Sequence, residues 1–312
     1  MKRLVIVLVA STGMLAGCET NPTTGRSQFN ALSRQQELQI GAEAAPQLVS
    51  EMGGEVADPA LQAYVNEVGQ RLVAHTEGDG PQRQWDFTLL DSDVINAFAL
   101  PGEKVFFSRG LAEKLDNEAQ MAAVLGHEVG HVMARHVNDR VAQQLGVGLA
   151  GALAGVVLGG ATDNNAVKQV APIAFGVGGQ LVLLRYGRGQ ETEADALGMR
   201  YMARAGYDPV GALGVMQVLA EASDGRSGPE MLATHPYPET RIQNIRRLLQ
   251  SEYASTQGNP NFQVHAERYQ QRFLSRLALL PRPERDELAL ALAALGPSHT
   301  WCAHCAAERA AR

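Results

Sequence analysis

Positive charge is in short supply. Lys and Arg number 27 against 33 Asp and Glu, a formal net charge of −6 at pH 7. No basic stripe stands out to neutralise phosphates, which excludes a nucleic-acid binder and leaves polypeptides or small molecules as partners. Aromatics are only 5% of the 312 residues, yet 45% are hydrophobic, so the chain reads as globular, with one sizeable and mainly aliphatic core. Strong membrane spans are also lacking. Two uncharged Gly/Ala-rich stretches, 145–161 and 170–184, flank "TDNNAVK". The first is at the lower edge of the roughly 17–25 residues a helix needs to cross a bilayer. Small side chains bury little apolar area, which favours a packed helical hairpin over a surface that touches lipid. No internal repeat is evident. There are three cysteines, two of them in "TWCAHCAAER". A thioredoxin-like redox site needs a preceding strand and a βαβ core, and neither is indicated around Cys302 and Cys305. A local disulfide or an idle pair is the plain reading, beside a metal site using His304 or a redox function, and no role is assigned.

The remaining cysteine sits at the end of "MKRLVIVLVASTGMLAGC". Lys2 and Arg3 precede a short apolar stretch and then small residues, which is the pattern of an export signal, here residues 1–17. "LAGC" resembles a bacterial lipobox. That resemblance implies that Cys18 is lipidated as the first mature residue, and Glu19, in place of an Asp, implies sorting to the outer membrane. The expected setting is therefore the periplasm. Residues 18–31 are polar and turn-rich and read as a lipidated tether.

Helical periodicity begins in "RQQELQIGAEAAPQLVSEMG" and resumes after Asp58 and Pro59, a cap and first-turn pair, with Leu61, Val65, Val68 and Leu72 on one face. Between Trp85 and Ser108 the runs "WDFTLLD", "VINAFAL" and "KVFFS" are short and β-prone, split by "DSD" and by Pro101 with Gly102. They predict a small antiparallel sheet. Helices return from Gly110. The expected fold is α+β and mostly helical, with one domain over residues 32–250 and a helical C-terminal tail over 251–312.

One helix carries the chemistry. "NEAQMAAVLGHEVGHVMARH" places His127 and His131 four residues apart, about 40° round an α-helix, so both project from one face. Two neutral imidazoles at about 2.0–2.1 Å suit Zn²⁺, and a third protein ligand leaves one position open, as hydrolytic sites require. Glu128, beside the first ligand, is then the general base that takes a proton from water. A continuous helix puts His136 on the opposite face, exposed or as a helix-end cation. Downstream, "RYGRGQETEADALGMRYMARAGYDP" places Glu191 and Asp195 on a common face, with Glu193 about 200° round from Glu191. Glu191 fits best as the third ligand, with Asp195 behind it to orient an imidazole.

In chain order, "NAFALPGEKVFFSRGL", the pentad helix, "ETEADALG", "AGYDP" and "THPYPETRI" resemble the HtpX and CAAX prenyl endopeptidase group of zinc metallopeptidases, peptidase family M48, and within it the small periplasmic lipoproteins. The resemblance covers residues 32–249. It implies a gluzincin endopeptidase with one Zn²⁺ per chain, His127, His131 and Glu191 as ligands, and Glu128 as base. Two departures stand out: Glu103 occupies a position where the family often has a second Gly, and no tetratricopeptide array follows the catalytic region.

"THPYPETRI" adds His235 and Arg241. Either can face the negative charge that develops on a peptide carbonyl under attack. The resemblance also implies that His235 can fill the open metal position in a resting form. The strand through Asn96, Ala97, Phe98 and Ala99 forms the expected cleft edge, where an extended substrate adds through backbone hydrogen bonds. Such binding reads backbone more than side chains. The function expected is cleavage of misfolded or misassembled periplasmic and outer-membrane proteins. Two alternatives remain: a chaperone-like binding factor with gated or little proteolysis, and a structural zinc site closed by four ligands. Ligand type points to zinc without excluding cobalt or manganese.

Overall fold

The computed structural model describes residues 18–143, 185–223, 231, 235 and 239–282. The export signal, the Gly/Ala-rich stretches 145–161 and 170–184, and Cys302 with Cys305 lie outside the described residues. Among those described, no helix is long and apolar enough to cross a membrane.

The chain starts with two short strands, β1 (Cys18–Thr20) and β2 (Ser27–Phe29), followed by helices α1 (Arg34–Glu51) and α2 (Pro59–Val73). Ser33 closes a capping box with Gln36 at the start of α1. Asp58 caps α2 and also receives Arg276 from the far end of the chain. Strands β3 (Asp86–Leu90), β4 (Ala97–Leu100) and β5 (Lys104–Ser108) form the main sheet, ordered β3-β5-β4. β4 pairs antiparallel with β5, as expected, but β3 runs parallel to it, with Asp86 opposite Lys104 and Leu90 opposite Ser108. The "DSD" break between β3 and β4 is therefore a crossover and not a hairpin turn. β4 occupies an edge of the sheet, packed on the central helix.

The turn from β4 to β5 passes through Gly102 (φ 84°) and Glu103 (φ 60°). A left-handed backbone explains why glycine is favoured where this chain carries Glu103. The buried Glu103 carboxylate meets Arg34 and also Arg83, the latter at 3.3 Å. These ion pairs offset the backbone strain.

After a one-turn helix, α3 (Arg109–Ala112), the central helix α4 (Glu118–Met133) runs through the core. Only Val132 in it is not buried. Its largest contact is with α5 (Arg188–Arg204), and α6 (Val210–Ser223), α2 and the sheet enclose the rest. The α4–α5 crossing is a backbone contact. A Cβ added at Gly198 would lie 2.9 Å from the Gly126 carbonyl carbon and the His127 nitrogen, and one at Gly130 would lie 2.9 Å from the Ala194 oxygen.

Two segments outside the expected domain belong to this body. The tether segment is an ordered hairpin, with Cys18 opposite Phe29. Asn21 Nδ2 donates to the Met133 carbonyl at 3.0 Å and Gln28 Nε2 to the Ala134 carbonyl at 2.7 Å, so the hairpin satisfies carbonyls at the open end of α4. At the other terminus, α7 (Glu239–Gln250) is followed by α8 (Ala266–Tyr269), a π-turn over Gln270–Leu274 and α9 (Ser275–Leu277). Tyr269, Phe273 and Leu277 are fully buried in the main core, with the Phe273 ring 5.1 Å from that of Tyr64. Residues 251–282 thus pack with the domain, and residues 283–312 of the expected tail lie outside the described residues.

Replacing Phe273 with Ala should cost about 3–5 kcal/mol in urea unfolding. Unchanged stability would return this segment to the status of an appendage. Gly198→Ala should force α5 away from α4, costing about 1–3 kcal/mol and reducing bound metal in the purified protein. Full metal content would show that the crossing tolerates a wider separation.

Candidate metal centre

The α4–α5 crossing sets His127 and His131 against Glu191. His235, which precedes α7, closes the group. Each of these four buried residues offers a ligand atom, and the four atoms lie within 4.8 Å of one another. His127 Nε2 is 3.0 Å from His131 Nε2, 3.2 Å from His235 Nδ1 and 3.5 Å from Glu191 Oε2. Glu191 Oε1 lies 3.1 Å from His235 Nδ1 and 3.4 Å from His131 Nε2. Three imidazole nitrogens and a carboxylate thus converge on one point in a buried site, and such a donor set suits a borderline divalent metal.

The surrounding residues hold the donors in place. Asp195 Oδ1 is 2.9 Å from His127 Nδ1. With that carboxylate as acceptor, the proton sits on Nδ1 and Nε2 presents its lone pair to the centre. Arg241 enters from α7: Nε donates to Asp195 Oδ2 at 2.8 Å, Nη2 to Oδ1 at 2.6 Å, and Nη1 contacts Glu191 Oε2 at 2.7 Å. Burial works to raise the Asp195 carboxyl, but Arg241 and His127 outweigh it and keep it ionised. For Glu191 burial is likewise overcome, by His235 and His131, and the group is held well below the carboxylate range. Burial drives the His131 imidazole well below its ordinary value, so it remains a neutral donor.

Glu128 is different. It is fully buried, and among the described residues neither carboxylate oxygen has a hydrogen-bond partner; His235 Nε2 lies 3.7 Å away. Burial pushes its carboxyl up. A carboxylate left unpartnered beside a ligand is suited to proton transfer.

The structure places Arg241 differently from its expected position facing an oxyanion. Its guanidinium is committed to Asp195 and Glu191, where it neutralises the carboxylates behind the centre. His136 is a second correction. The helix ends at Met133, Arg135 takes a left-handed conformation (φ 57°), and the chain turns back. His136 is therefore buried, with Nδ1 2.9 Å from His131 Nδ1 and Nε2 3.0 Å from Glu193 Oε2. Arithmetic for a continuous helix had no means of placing it there. Tyr186 was also missed. Its ring lies 3.9 Å from that of His131 and 5.1 Å from that of His235, and with His131 it lines a small pocket shared with Ala99 and Leu100 of β4, Arg34 and Glu37 of α1, and Arg135. Its only sequence signal is an aromatic residue just ahead of the acid-bearing helix. Ala97, Phe98 and Ala99 lie in edge strand β4, and Asn96 immediately before it accepts from the Ser108 backbone N–H at its carbonyl and donates its own N–H to Ser108 Oγ.

A helix carrying His-Glu-x-x-His, crossed by a second helix that supplies a carboxylate, defines the metal-binding core of a metallopeptidase. The model of peptidase family M48 matches residues 59–249, and the chain belongs to that family. It is 32% identical over 256 residues to the beta-barrel assembly-enhancing protease of Escherichia coli K12, covering 78% of this chain and 52% of that protein. The Yersinia pestis protein of that name is 32% identical over 238 residues, 75% of this chain and 48% of that one. The mitochondrial metalloendopeptidase OMA1 of Schizosaccharomyces pombe is 29% identical over 232 residues, 73% and 65% respectively. The chain thus spans about half the length of the two bacterial relatives.

Arg241→Ala leaves Asp195 and Glu191 buried without their cation. It should destabilise the chelator-treated protein by about 3–5 kcal/mol in denaturant. A role confined to an oxyanion would leave that stability unchanged.

Proposed function

We propose that the protein is a zinc-dependent endopeptidase of the bacterial envelope that cleaves misfolded or misassembled periplasmic and outer-membrane proteins. The observation that carries this reading is the convergence of His127, His131 and Glu191 beside a buried Glu128 that has no hydrogen-bond partner among the described residues. His127, His131 and Glu191 hold one Zn²⁺. When bound, the ion supplies Lewis acidity towards the scissile carbonyl and lowers the pKa of water at the site.

The residues of the chain do the remainder. Asp195 keeps His127 in the tautomer whose Nε2 faces inward, and Arg241 fixes both Asp195 and Glu191. Glu128 accepts the proton of the attacking water and delivers it to the leaving amine. β4, with a sheet partner on one side only among the described residues, aligns an extended substrate through Asn96, Ala97, Phe98 and Ala99. Backbone pairing of this kind selects clients by exposure, which suits unfolded segments. The names of the bacterial relatives support an envelope setting. Lipidation at Cys18, with placement at the outer membrane, is part of the same reading.

His235 supports a second reading. Its Nδ1 lies 3.1 Å from Glu191 and 3.2 Å from His127, so it can complete a four-ligand site. A closed site of that kind suits a binding factor for envelope proteins in which proteolysis is gated. His235 in the open form is instead placed to donate to the developing oxyanion.

The deciding experiment is digestion of casein by the protein without its lipid, beside Glu128→Gln, with bound zinc measured in both. The endopeptidase reading expects cleavage by the parent, loss of at least about a hundredfold in rate in the variant, and equal zinc. Equal zinc with cleavage by neither would give the lead to the binding factor.

A further inference from the structure

The centre has two histidine ligands, and each is backed by its own chain of hydrogen bonds. Behind His127 stand Asp195 and Arg241. Behind His131 stand His136, Glu193 and Arg26, none of which was anticipated to act on the metal. We propose that His136 and Glu193 are positioning residues that fix the tautomer and ring orientation of His131, with Arg26 of the N-terminal hairpin as their clamp. The proposal rests on the metal-centre reading above.

The argument is one of donor and acceptor inventory. Glu193 Oε2 lies 3.0 Å from His136 Nε2, and Arg26 holds the same carboxylate through Nε at 3.1 Å and Nη2 at 2.8 Å. An ionised Glu193 can only accept, so His136 Nε2 carries a proton and donates it to that hydrogen bond. The other nitrogen of a neutral His136, Nδ1, is then an acceptor. It sits 2.9 Å from His131 Nδ1, which must therefore be the donor. His131 is left with a lone pair on Nε2, the atom that faces His127 and Glu191. Protonation at Nε2 would point a hydrogen at the metal position and set two lone pairs against each other at the His131–His136 contact. Each link thus selects the state of the next, and the last link is the metal ligand.

What distinguishes His136 from a core histidine with a satisfied N–H is that its second nitrogen meets the metal-group residue His131. The route also explains why the chain turns back at Arg135: a helix continued beyond Met133 would carry His136 away from His131. Outer partners of this kind raise ligand basicity and reduce the freedom of the ring.

The test measures zinc affinity by competition with a chromophoric chelator. It compares the full protein with His136→Leu, His136→Asn, Glu193→Gln and Arg26→Ala, and records unfolding of the metal-free forms beside it. His136→Leu removes the acceptor and should lower zinc affinity about 10- to 100-fold. His136→Asn restores an acceptor near the Nδ1 position and should recover part of the loss. Glu193→Gln and Arg26→Ala, which leave the interior intact, should give smaller losses in that order. The cobalt-substituted variants should show a shifted visible absorption band. If His136→Leu does not fold, Glu193→Gln decides. A parent that binds zinc, with affinity and cobalt spectrum unaltered in Glu193→Gln and His136→Asn, would overturn the relay alone. A parent that binds no zinc would overturn the metal centre and the relay with it.

Discussion

The distance between α4 and α5 is the constraint on which the site depends. Ligands four residues apart on one helix can meet a carboxylate from another only if the two backbones come close. Here Gly126, Gly130, Ala194 and Gly198 bring them into direct contact. Larger side chains at these positions would give a better-filled apolar interface and a wider separation. The sequence "LGHEVGH" therefore carries two messages: the histidines bind, and the glycines beside them set how far away their partner stands. The abundance of alanine on the same helix serves that end too, since small residues allow α4 to be enclosed on all sides.

Enclosure brings an electrostatic cost, and the structure offsets it by pairing. Glu191, Asp195 and Glu128 are all buried within a few ångströms. Arg241 pairs with the first two and offsets one of the three negative charges, and a divalent cation would balance the two that remain. The arrangement makes the empty protein an unfavourable assembly of unmatched donors. Binding energy for the metal is thus coupled to folding of the core, because the same helix contact builds both.

Much of this was legible from residue spacing. The relation of His127 to His131, and of Glu191 to Asp195, follows from helical geometry alone, since each pair lies within an unbroken helix. The small sheet, the cap at Asp58 and the mostly helical character also follow from local pattern. The reading failed where local rules stop. Nothing in "VMARH" announces that Arg135 adopts a left-handed conformation, so helical spacing places His136 on the wrong face. Parallel pairing of β3 with β5 is a non-local choice that period-two alternation does not encode. The stripe of Tyr269, Phe273 and Leu277 was visible in the sequence, but the arginines between them masked it. Those arginines lie on the outer face, with Arg276 reaching Asp58. Glu193 was recognised as facing away from Glu191, yet a group that faces away from a metal can still govern it through an intervening ring.

The N-terminal hairpin has one more implication. Cys18 lies within β1, paired with Phe29, and Asn21 and Gln28 fasten the same hairpin to the end of the metal-bearing helix. Were Cys18 lipidated as proposed, no slack chain would separate the bilayer from the folded body; a free linker would add up to about 3.5 Å of travel per residue. The enzyme would lie against the membrane like a tool bolted to a bench, able to turn about its mounting but unable to range into the solvent. Under the proposed function its clients would have to come to the bilayer surface, and proximity would do part of the selecting that backbone pairing does not.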